Sequence, residues 1–290
     1  MVSSYGELYR EAWSTLLKSE GDNASFLARE LLAFASGRTA AALLADPNLI
    51  ADERTAEAMH VYTARLVRGE PLAYILGRWS FYGMELTVTP DVLIPRDDTM
   101  AVTDLAIEAL RRMAPPQRVL DLCTGSGCIG LAIAKQVPTA RVTLTDVSEK
   151  ALAVARQNMA LQKNGIRVSA YRGDVTQPAP AFWGKFDLIV SNPPYVTAQE
   201  MRELDSSVRD YEPKLALYGG EDGLDFYRAI IRNFTPAIRP DGFLCLEFGW
   251  KQAEAVGGLL RQAGYRELRF ARDGGGIVRA VIARRPEGVE

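Results

Sequence analysis

The sequence predicts an α/β fold in which a mostly parallel sheet follows a small helical domain and a β-hairpin linker. Three observations predict it. Apolar residues first recur at helical spacing, a short stretch rich in strand formers follows, and from about Met100 strands alternate with helices. We therefore assign residues 1–75 to an N-terminal helical domain, 76–98 to the linker and 99–290 to the α/β domain.

The helical domain is predicted from three apolar runs. Leu8, Ala12 and Leu16 are spaced as on one face of a helix, a second run closes at Gly37, and a third covers residues 52–67. In residues 79–95, strand-forming side chains are broken by Gly83 and by Pro90-Asp91. That pattern predicts a hairpin.

The last part of the chain predicts a sheet with helices on both faces. A helix is predicted over residues 222–238, and the chain ends in a hairpin whose final strand runs antiparallel. The preceding strands are predicted at residues 118–122, 141–145, 168–171, 186–190 and 242–248.

Composition excludes several classes of protein. Lys and Arg number 34 against 36 Asp and Glu, so no strong basic surface favours direct nucleic-acid binding. With His60 as the one histidine and three cysteines that form no CxxC pair, we expect no metal site and no Ser-His-Asp machinery. We expect a cytoplasmic protein with no signal peptide and no membrane association.

A glycine turn follows the first strand of the sheet and opens a helix. It reads Asp121-Leu-Cys-Thr-Gly-Ser-Gly127, and its two glycines allow the backbone to approach a ligand closely. The stretch from Gly125 to Gly130 also fits the loose G-x-G-x-x-G pattern of dinucleotide sites. The turn alone therefore does not separate NAD from S-adenosylmethionine.

Acidic residues at strand ends favour S-adenosylmethionine. Asp146 ends the next strand, where a carboxylate can accept both hydroxyl protons of a ribose. Asp121 would repel a pyrophosphate but attract the ammonium and sulfonium groups of S-adenosylmethionine. Asp174 follows the third strand, where it can accept from an adenine amino group.

The tetrapeptide Asn192-Pro193-Pro194-Tyr195 follows a buried strand and so lies at the same edge of the sheet. Its composition suits a planar amide or amino nitrogen. The Asn192 side-chain oxygen can accept one N–H, and Pro193 offers a carbonyl without a competing N–H. Tyr195 supplies a flat face for stacking. We predict methyl transfer by alignment and electrostatics, without a general base before the transfer.

The sequence resembles the peptide chain release factor glutamine N5-methyltransferases, the HemK-like family, over nearly its whole length. The tetrapeptide is shared with adenine-N6 and other methyltransferases, whereas the helical front end and the Leu-Ile-Pro-Arg stretch are more specific. The matching stretches are Pro71-Leu-Ala-Tyr-Ile-Leu-Gly77, Val92-Leu-Ile-Pro-Arg96, Asp121 to Gly127, Asn192 to Tyr195, Glu212-Pro213 with Ala216-Leu217, Gly223-Leu-Asp-Phe-Tyr227 and Glu247-Phe-Gly with Gln252.

The resemblance implies a seven-stranded, Rossmann-like class I methyltransferase domain. It implies transfer of a methyl group from S-adenosylmethionine to the glutamine of the Gly-Gly-Gln motif in bacterial class I release factors, leaving S-adenosylhomocysteine. By motif position, Asn192 to Tyr195 would hold the glutamine. The residues implied to contact the cofactor are Cys123, Thr124, Gly125, Ser126, Gly127, Asp146 and Asn192, with Asp174 and Val175 beside its adenine.

The sequence departs from the family pattern at four positions, and several alternatives stay open. Cys123 stands where many members have glycine, so we expect no positive φ there. Asp97 replaces a common proline, Met100 replaces a common glutamate, and Val175 is not aromatic. Methylation of a ribosomal-protein glutamine or of adenine N6 in nucleic acid would use the same tetrapeptide. A non-catalytic binding module and NAD-dependent chemistry are the remaining alternatives.

Overall fold

The structure, a computed structural model, describes residues 3–162, 167–286 and 288. Its chain divides into a unit of Met1–Gly77 with Ser206–Tyr211 and a unit of Arg78–Asp205 with Glu212–Glu290. The predicted boundaries at residues 75 and 98 stay predictions. In this division the hairpin falls with the α/β part, and residues 206–211 fall with the helical part, which no sequence pattern indicated.

The first unit is helical, and local capping explains where its helices begin and end. Ser4 forms a capping box with Glu7, Asp52 caps the fourth helix, and Gly37 takes a left-handed conformation after the second. The three predicted helices are confirmed. The helices of this unit are α1 Tyr5–Glu20, α2 Ala24–Ser36, α3 Ala40–Ala45, α4 Glu53–Val67, α5 Leu72–Leu76 and α10 Ser206–Arg209.

A two-stranded hairpin opens the second unit. Strand β1 (Arg78–Phe81) pairs antiparallel with β2 (Met84–Thr87). Tyr82 and Gly83 between them both have positive φ, as a tight hairpin turn requires. The hairpin is confirmed, but residues 88–95 form no strand, since the prolines in that stretch cannot donate to a ladder.

The central sheet has seven strands in the order β5-β4-β3-β6-β7-β9-β8. The pairs from β5 to β7 are parallel, whereas β9 runs antiparallel to both its neighbours. The predicted α/β fold is thus confirmed. The strands are β3 Arg118–Leu122, β4 Arg141–Asp146, β5 Val168–Arg172, β6 Phe186–Ser191, β7 Ile238–Glu247, β8 Arg266–Arg272 and β9 Val278–Arg284.

Helices cover both faces of this sheet. In β6, Leu188 and Val190 face one buried cluster while Ile189 faces another, as expected for a strand buried on both sides. The first cluster is supplied by α6 (Met100–Arg111), α7 (Cys128–Gln136) and α8 (Glu149–Leu161), and the second by α12 (Asp225–Phe234) and α13 (Ala253–Gln262). Short helices α9 (Glu200–Glu203) and α11 (Lys214–Leu217) lie between β6 and α12.

The helix predicted over residues 222–238 is shorter in the structure. It ends at Phe234, a single helical turn follows over Thr235–Ala237, and Ile238 already begins β7. Pro236 explains the early end, because it cannot continue an α-helix. Within the described residues, no helix combines the length and apolar character needed to cross a membrane.

Candidate active site

The glycine turn connects β3 to α7 with three residues in the left-handed region. Gly125 has φ 54° and Gly127 has φ 85°, but Cys123 also has φ 55°. The expectation that Cys123 needs no positive φ is therefore wrong. The chain turns sharply away from the strand at this position, and a non-glycine residue there costs roughly 1 kcal/mol. The Cys123 side chain packs against the second buried cluster and lines a cavity.

Asp121 lies beneath the turn and is fully buried. Its Oδ2 accepts from Thr124 Oγ1 at 2.6 Å and from the Gly130 amide at 3.0 Å. Oδ1 has no hydrogen-bond partner among the described residues. Burial, partly offset by those two hydrogen bonds, raises the pKa of Asp121 to about 7. Its carboxyl group holds the turn from below and is not part of the cavity wall.

Asp146 ends β4 and lines the cavity. Its Oδ2 accepts from the Gly125 amide and its Oδ1 from the Ser148 amide, both at 2.9 Å. Burial raises the pKa of this carboxyl group above its ordinary value. One side chain thus fixes the glycine turn and the start of α8 while remaining at the cavity surface.

The residues that follow β5 form the neighbouring part of the cavity wall. Asp174 and Val175 both line the cavity, and Asp174 Oδ1 accepts from the Thr176 amide at 2.8 Å. Val175 is buried, and its carbonyl accepts from Asn233 Nδ2 at 2.9 Å. The structure therefore brings the ends of β3, β4 and β5 to one cavity, as the parallel topology predicts.

The tetrapeptide continues the cavity from β6. Asn192 and Pro194 line it, whereas Pro193 and Tyr195 do not. Asn192 Nδ2 donates to Thr99 Oγ1 at a long 3.4 Å. Tyr195 is largely enclosed, and burial, reinforced by the nearby charge of Glu247, raises the pKa of its hydroxyl group. Gly127, the N-cap residue of α7, was also predicted to contact the ligand but does not line the cavity.

Gln252 holds the backbone of the tetrapeptide. Its Nε2 donates to the Tyr195 carbonyl at 3.1 Å and to the Gly223 carbonyl at 3.3 Å, while its Oε1 accepts from the Gly249 amide at 2.9 Å. A Cβ at Gly223 would lie 2.3 Å from the Tyr195 carbonyl oxygen, so only glycine fits there. Gln252 belongs to the stretches that match the family, but the sequence alone assigned it no role.

Asn158 on α8 was missed by sequence reasoning. Its side chain is fully buried and exchanges two hydrogen bonds with the Thr87 backbone, at 2.7 and 3.0 Å. It also donates to the Ser126 carbonyl at 2.9 Å. A polar residue on the sheet-facing side of a helix was the available signal, but its two partners are far away in sequence.

Two segments of the cavity wall, far apart in sequence, are joined by Glu212. Its carboxylate, almost wholly buried, accepts from the Ile94 amide at 3.2 Å and pairs with Arg96. Pro95 and Pro213, the neighbours of these residues, both line the cavity. Arg96, the last residue of the matching Leu-Ile-Pro-Arg stretch, thus forms a salt bridge inside the second unit.

The cavity wall suits a ligand with cationic and hydroxyl groups. Asp146 presents a carboxylate, and Ser126 also lines the cavity; its hydroxyl is buried and has no hydrogen-bond partner among the described residues. Apolar walls from Ile129, Val147 and Phe226 accompany them. Within the same described part of the chain, no three His, Cys, Asp or Glu side chains cluster as a metal site.

Two family models match the chain. The model described as the PrmC N-terminal domain matches residues 7–77, and that of the methyltransferase small domain matches residues 97–207. Together they cover the helical front end and the part of the sheet that carries the glycine turn and the tetrapeptide.

Named relatives match over most of their length. The release factor glutamine methyltransferase of Geobacter sulfurreducens is 44% identical over 76% of this chain and 75% of its own. That of Bordetella pertussis is 42% identical over 87% of this chain and 92% of its own. A solved methyltransferase structure from Pyrococcus furiosus, 18% identical, covers 77% of this chain and 97% of its own with a TM-score of 0.50, and so shows a shared fold.

Proposed function

We propose a function from the family to which the chain belongs, the release factor glutamine methyltransferases. The chain methylates the N5 side-chain nitrogen of the glutamine in the Gly-Gly-Gln motif of bacterial class I release factors. One observation supports this most strongly. Asn192 of the tetrapeptide lies on the same cavity as the glycine turn and Asp146, so an amide bound there would face a cofactor bound at the turn.

The residues around the turn fit S-adenosylmethionine, whose use the family implies. We assign Asp146 to the ribose hydroxyls, the Ser126 hydroxyl to a polar group of the cofactor, and Asp174 with Val175 to the adenine side. Asp121 acts from beneath the turn through its charge and its hydrogen bonds. Backbone from Cys123, Thr124 and Gly125, together with Asn192, completes the proposed set, while Gly127 is assigned to the shape of the turn from outside the wall.

The tetrapeptide would hold the substrate amide. We assign Asn192 Oδ1 and the Pro193 carbonyl to its two N–H groups, and Pro194 and Tyr195 to the flat surface beside it. Asn192 and Pro194 already line the cavity, whereas the parts given to Pro193 and Tyr195 rest on the family resemblance. When bound, S-adenosylmethionine supplies an electrophilic methyl carbon; the nitrogen lone pair forms the C–N bond and the C–S pair stays on sulfur. The methylated nitrogen is acidic and releases its extra proton to water afterwards. The protein therefore contributes alignment and fixed acceptors.

Recognition of the rest of the release factor is assigned to the N-terminal helical domain, residues 1–75, as the family resemblance implies. The protein is proposed to act in the cytoplasm, in line with the free thiols of Cys123, Cys128 and Cys245. Neither a membrane nor direct nucleic-acid contact forms part of the proposal.

The test is incubation with labelled S-adenosylmethionine and a release factor, a ribosomal protein, DNA or RNA in parallel, followed by mass spectrometry. We expect one added methyl group, on the glutamine of the Gly-Gly-Gln motif. Label in nucleic acid or in the ribosomal protein alone would contradict the proposal. Asn192→Ala should lower kcat by roughly 10²–10³-fold, as for the loss of one preorganised polar partner, while the affinity for S-adenosylhomocysteine changes little.

A further inference from the structure

Glu247 is a buried acid at the end of β7, beside the tetrapeptide. Ser191 pairs with Leu246 in the parallel ladder, so the next residues, Asn192 and Glu247, lie side by side at the edge of the sheet. Cys245, two residues earlier, contacts the backbone of α6 at Val102. Because side chains alternate along a strand, Glu247 faces the same side, toward the start of α6.

The carboxyl group there has few partners. Glu247 is 2% exposed, and its Oε2 has no hydrogen-bond partner among the described residues. The side chains that offer it hydrogen bonds are Thr99 and Asn192. Arg279, whose positive charge acts on Glu247, is already paired with Asp98 at 2.9 Å and with Asp273 at 3.0 Å.

Burying a carboxyl group with weak partners and no paired cation is costly. Burial, offset in part by Thr99 and Arg279, raises the pKa of Glu247 to about 8. Packing of β7 would be served as well by an apolar side chain, as at Cys245 and Leu246. The acid at this position therefore calls for a role beyond packing.

The orientation of the Asn192 amide gives Glu247 such a role. An asparagine side chain can place either its oxygen or its NH₂ toward the cavity, and the two orientations differ by a half-turn. The Glu247 carboxyl group keeps at least one acceptor oxygen in either protonation state. With the Asn192 oxygen toward that oxygen, an acceptor would face an acceptor, while the NH₂ would meet the N–H donors of a substrate amide. With Nδ2 toward Thr99 and Glu247, both conflicts disappear.

We propose that Glu247 is a positioning residue that, with the Thr99 hydroxyl, holds Asn192 Nδ2 and so keeps Oδ1 available to the substrate amide. This rests on the proposed function for its effect on turnover. It does not require Glu247 to touch the substrate or to take up a proton from it. Thr99 relays the same preference, since its hydroxyl can accept from Asn192 and donate to the Glu247 carboxyl group.

The test compares Glu247→Ala, Glu247→Gln and Thr99→Val with wild type in steady-state methylation of a release factor. Glu247→Ala should lower kcat by roughly 10- to 100-fold with less than about a threefold change in KM for the release factor. Glu247→Gln keeps the shape and one acceptor, so its loss should be smaller. Combining Glu247→Ala with Asn192→Ala should be no worse than Asn192→Ala alone, because Glu247 acts through Asn192.

Tyr227→Phe is the matched control. The Tyr227 hydroxyl donates to the Glu247 backbone carbonyl at 2.9 Å, so this variant disturbs the end of β7 and leaves the carboxyl group in place. It should change kcat by less than about threefold. Full activity in both Glu247 variants, or multiplied losses in the double variant, would overturn the inference.

A measurement on the free protein separates this inference from the proposed function. The Asn192 side-chain NH₂ protons, assigned by their loss in Asn192→Ala, should exchange with solvent more slowly in wild type than in Glu247→Ala. Equal exchange rates would refute the positioning role, whatever the substrate. No methylation of any release factor by wild type, with slow Asn192 exchange, would instead refute the proposed function alone.

Discussion

Replacing Gln252 by glutamate tests how firmly the backbone of the tetrapeptide is held. The change keeps size and the acceptor for the Gly249 amide, but it turns the donor that serves two carbonyls into an oxygen. Two lost hydrogen bonds at about 1 kcal/mol each, with the repulsion of oxygens about 3 Å apart, predict a loss of roughly 2–4 kcal/mol in the free energy of unfolding. A protonated carboxyl group restores one donor, so the loss should be smaller at low pH.

The catalytic consequence of Gln252→Glu should be selective. Gln252 holds the Tyr195 carbonyl but does not line the cavity, so kcat/KM for the release factor should fall while the Kd for S-adenosylhomocysteine stays close to wild type. Urea unfolding, calorimetric titration and steady-state methylation measure the three quantities.

The matched control is Gln262→Glu, the same charge change at an exposed position; Gln262 is the last residue of α13, and Gln252 is the residue that precedes this helix. It should alter the free energy of unfolding by less than about 0.5 kcal/mol. If Gln252→Glu matches this control in both the free energy of unfolding and kcat/KM, the Gln252 side chain does not hold the tetrapeptide in place.

Three further predictions concern stability. The pKa of Glu247 is raised to about 8 from its ordinary 4.5. The free energy of unfolding of the wild type should therefore fall relative to that of Glu247→Gln as pH rises from 4.5 to 8, and the difference between the two should level off above pH 8. Urea unfolding at several pH values measures both free energies. Gly130→Ala would place a Cβ 2.2 Å from Leu144 Cδ2 and 2.9 Å from Asp121 Oδ2, so calorimetry should show a clear loss of stability together with weaker cofactor binding. Cys123→Gly should relieve the left-handed backbone and raise the free energy of unfolding by up to about 1 kcal/mol. The loss of side-chain packing at Cys123 reduces this gain. A fall in the free energy of unfolding of more than about 1 kcal/mol would contradict this account.

Much of the sheet edge could be predicted because parallel strands bring their carboxyl ends together. Asp146 and Asn192 were predicted to lie at the cavity because each follows a predicted strand in the sequence, and both line it. The backbone of Cys123 could not be read this way, since its residue type disfavours the conformation that the turn imposes. Glu247 also ends a strand, but its neighbours Thr99 and Asn192 become visible only once β6, β7 and α6 are packed.

Asn158 ties two distant parts of the second unit to one side chain. The end of the hairpin and the glycine turn lie 39 residues apart, from Thr87 to Ser126, yet one amide group of α8 fastens both. A displacement of the hairpin therefore pulls on the turn directly, without passing through the sheet. Loss of the Asn158 side chain would therefore release the Ser126 carbonyl and the end of the hairpin together, while Lys135 and Gln162 would still hold the hairpin at Gly83 and Glu85.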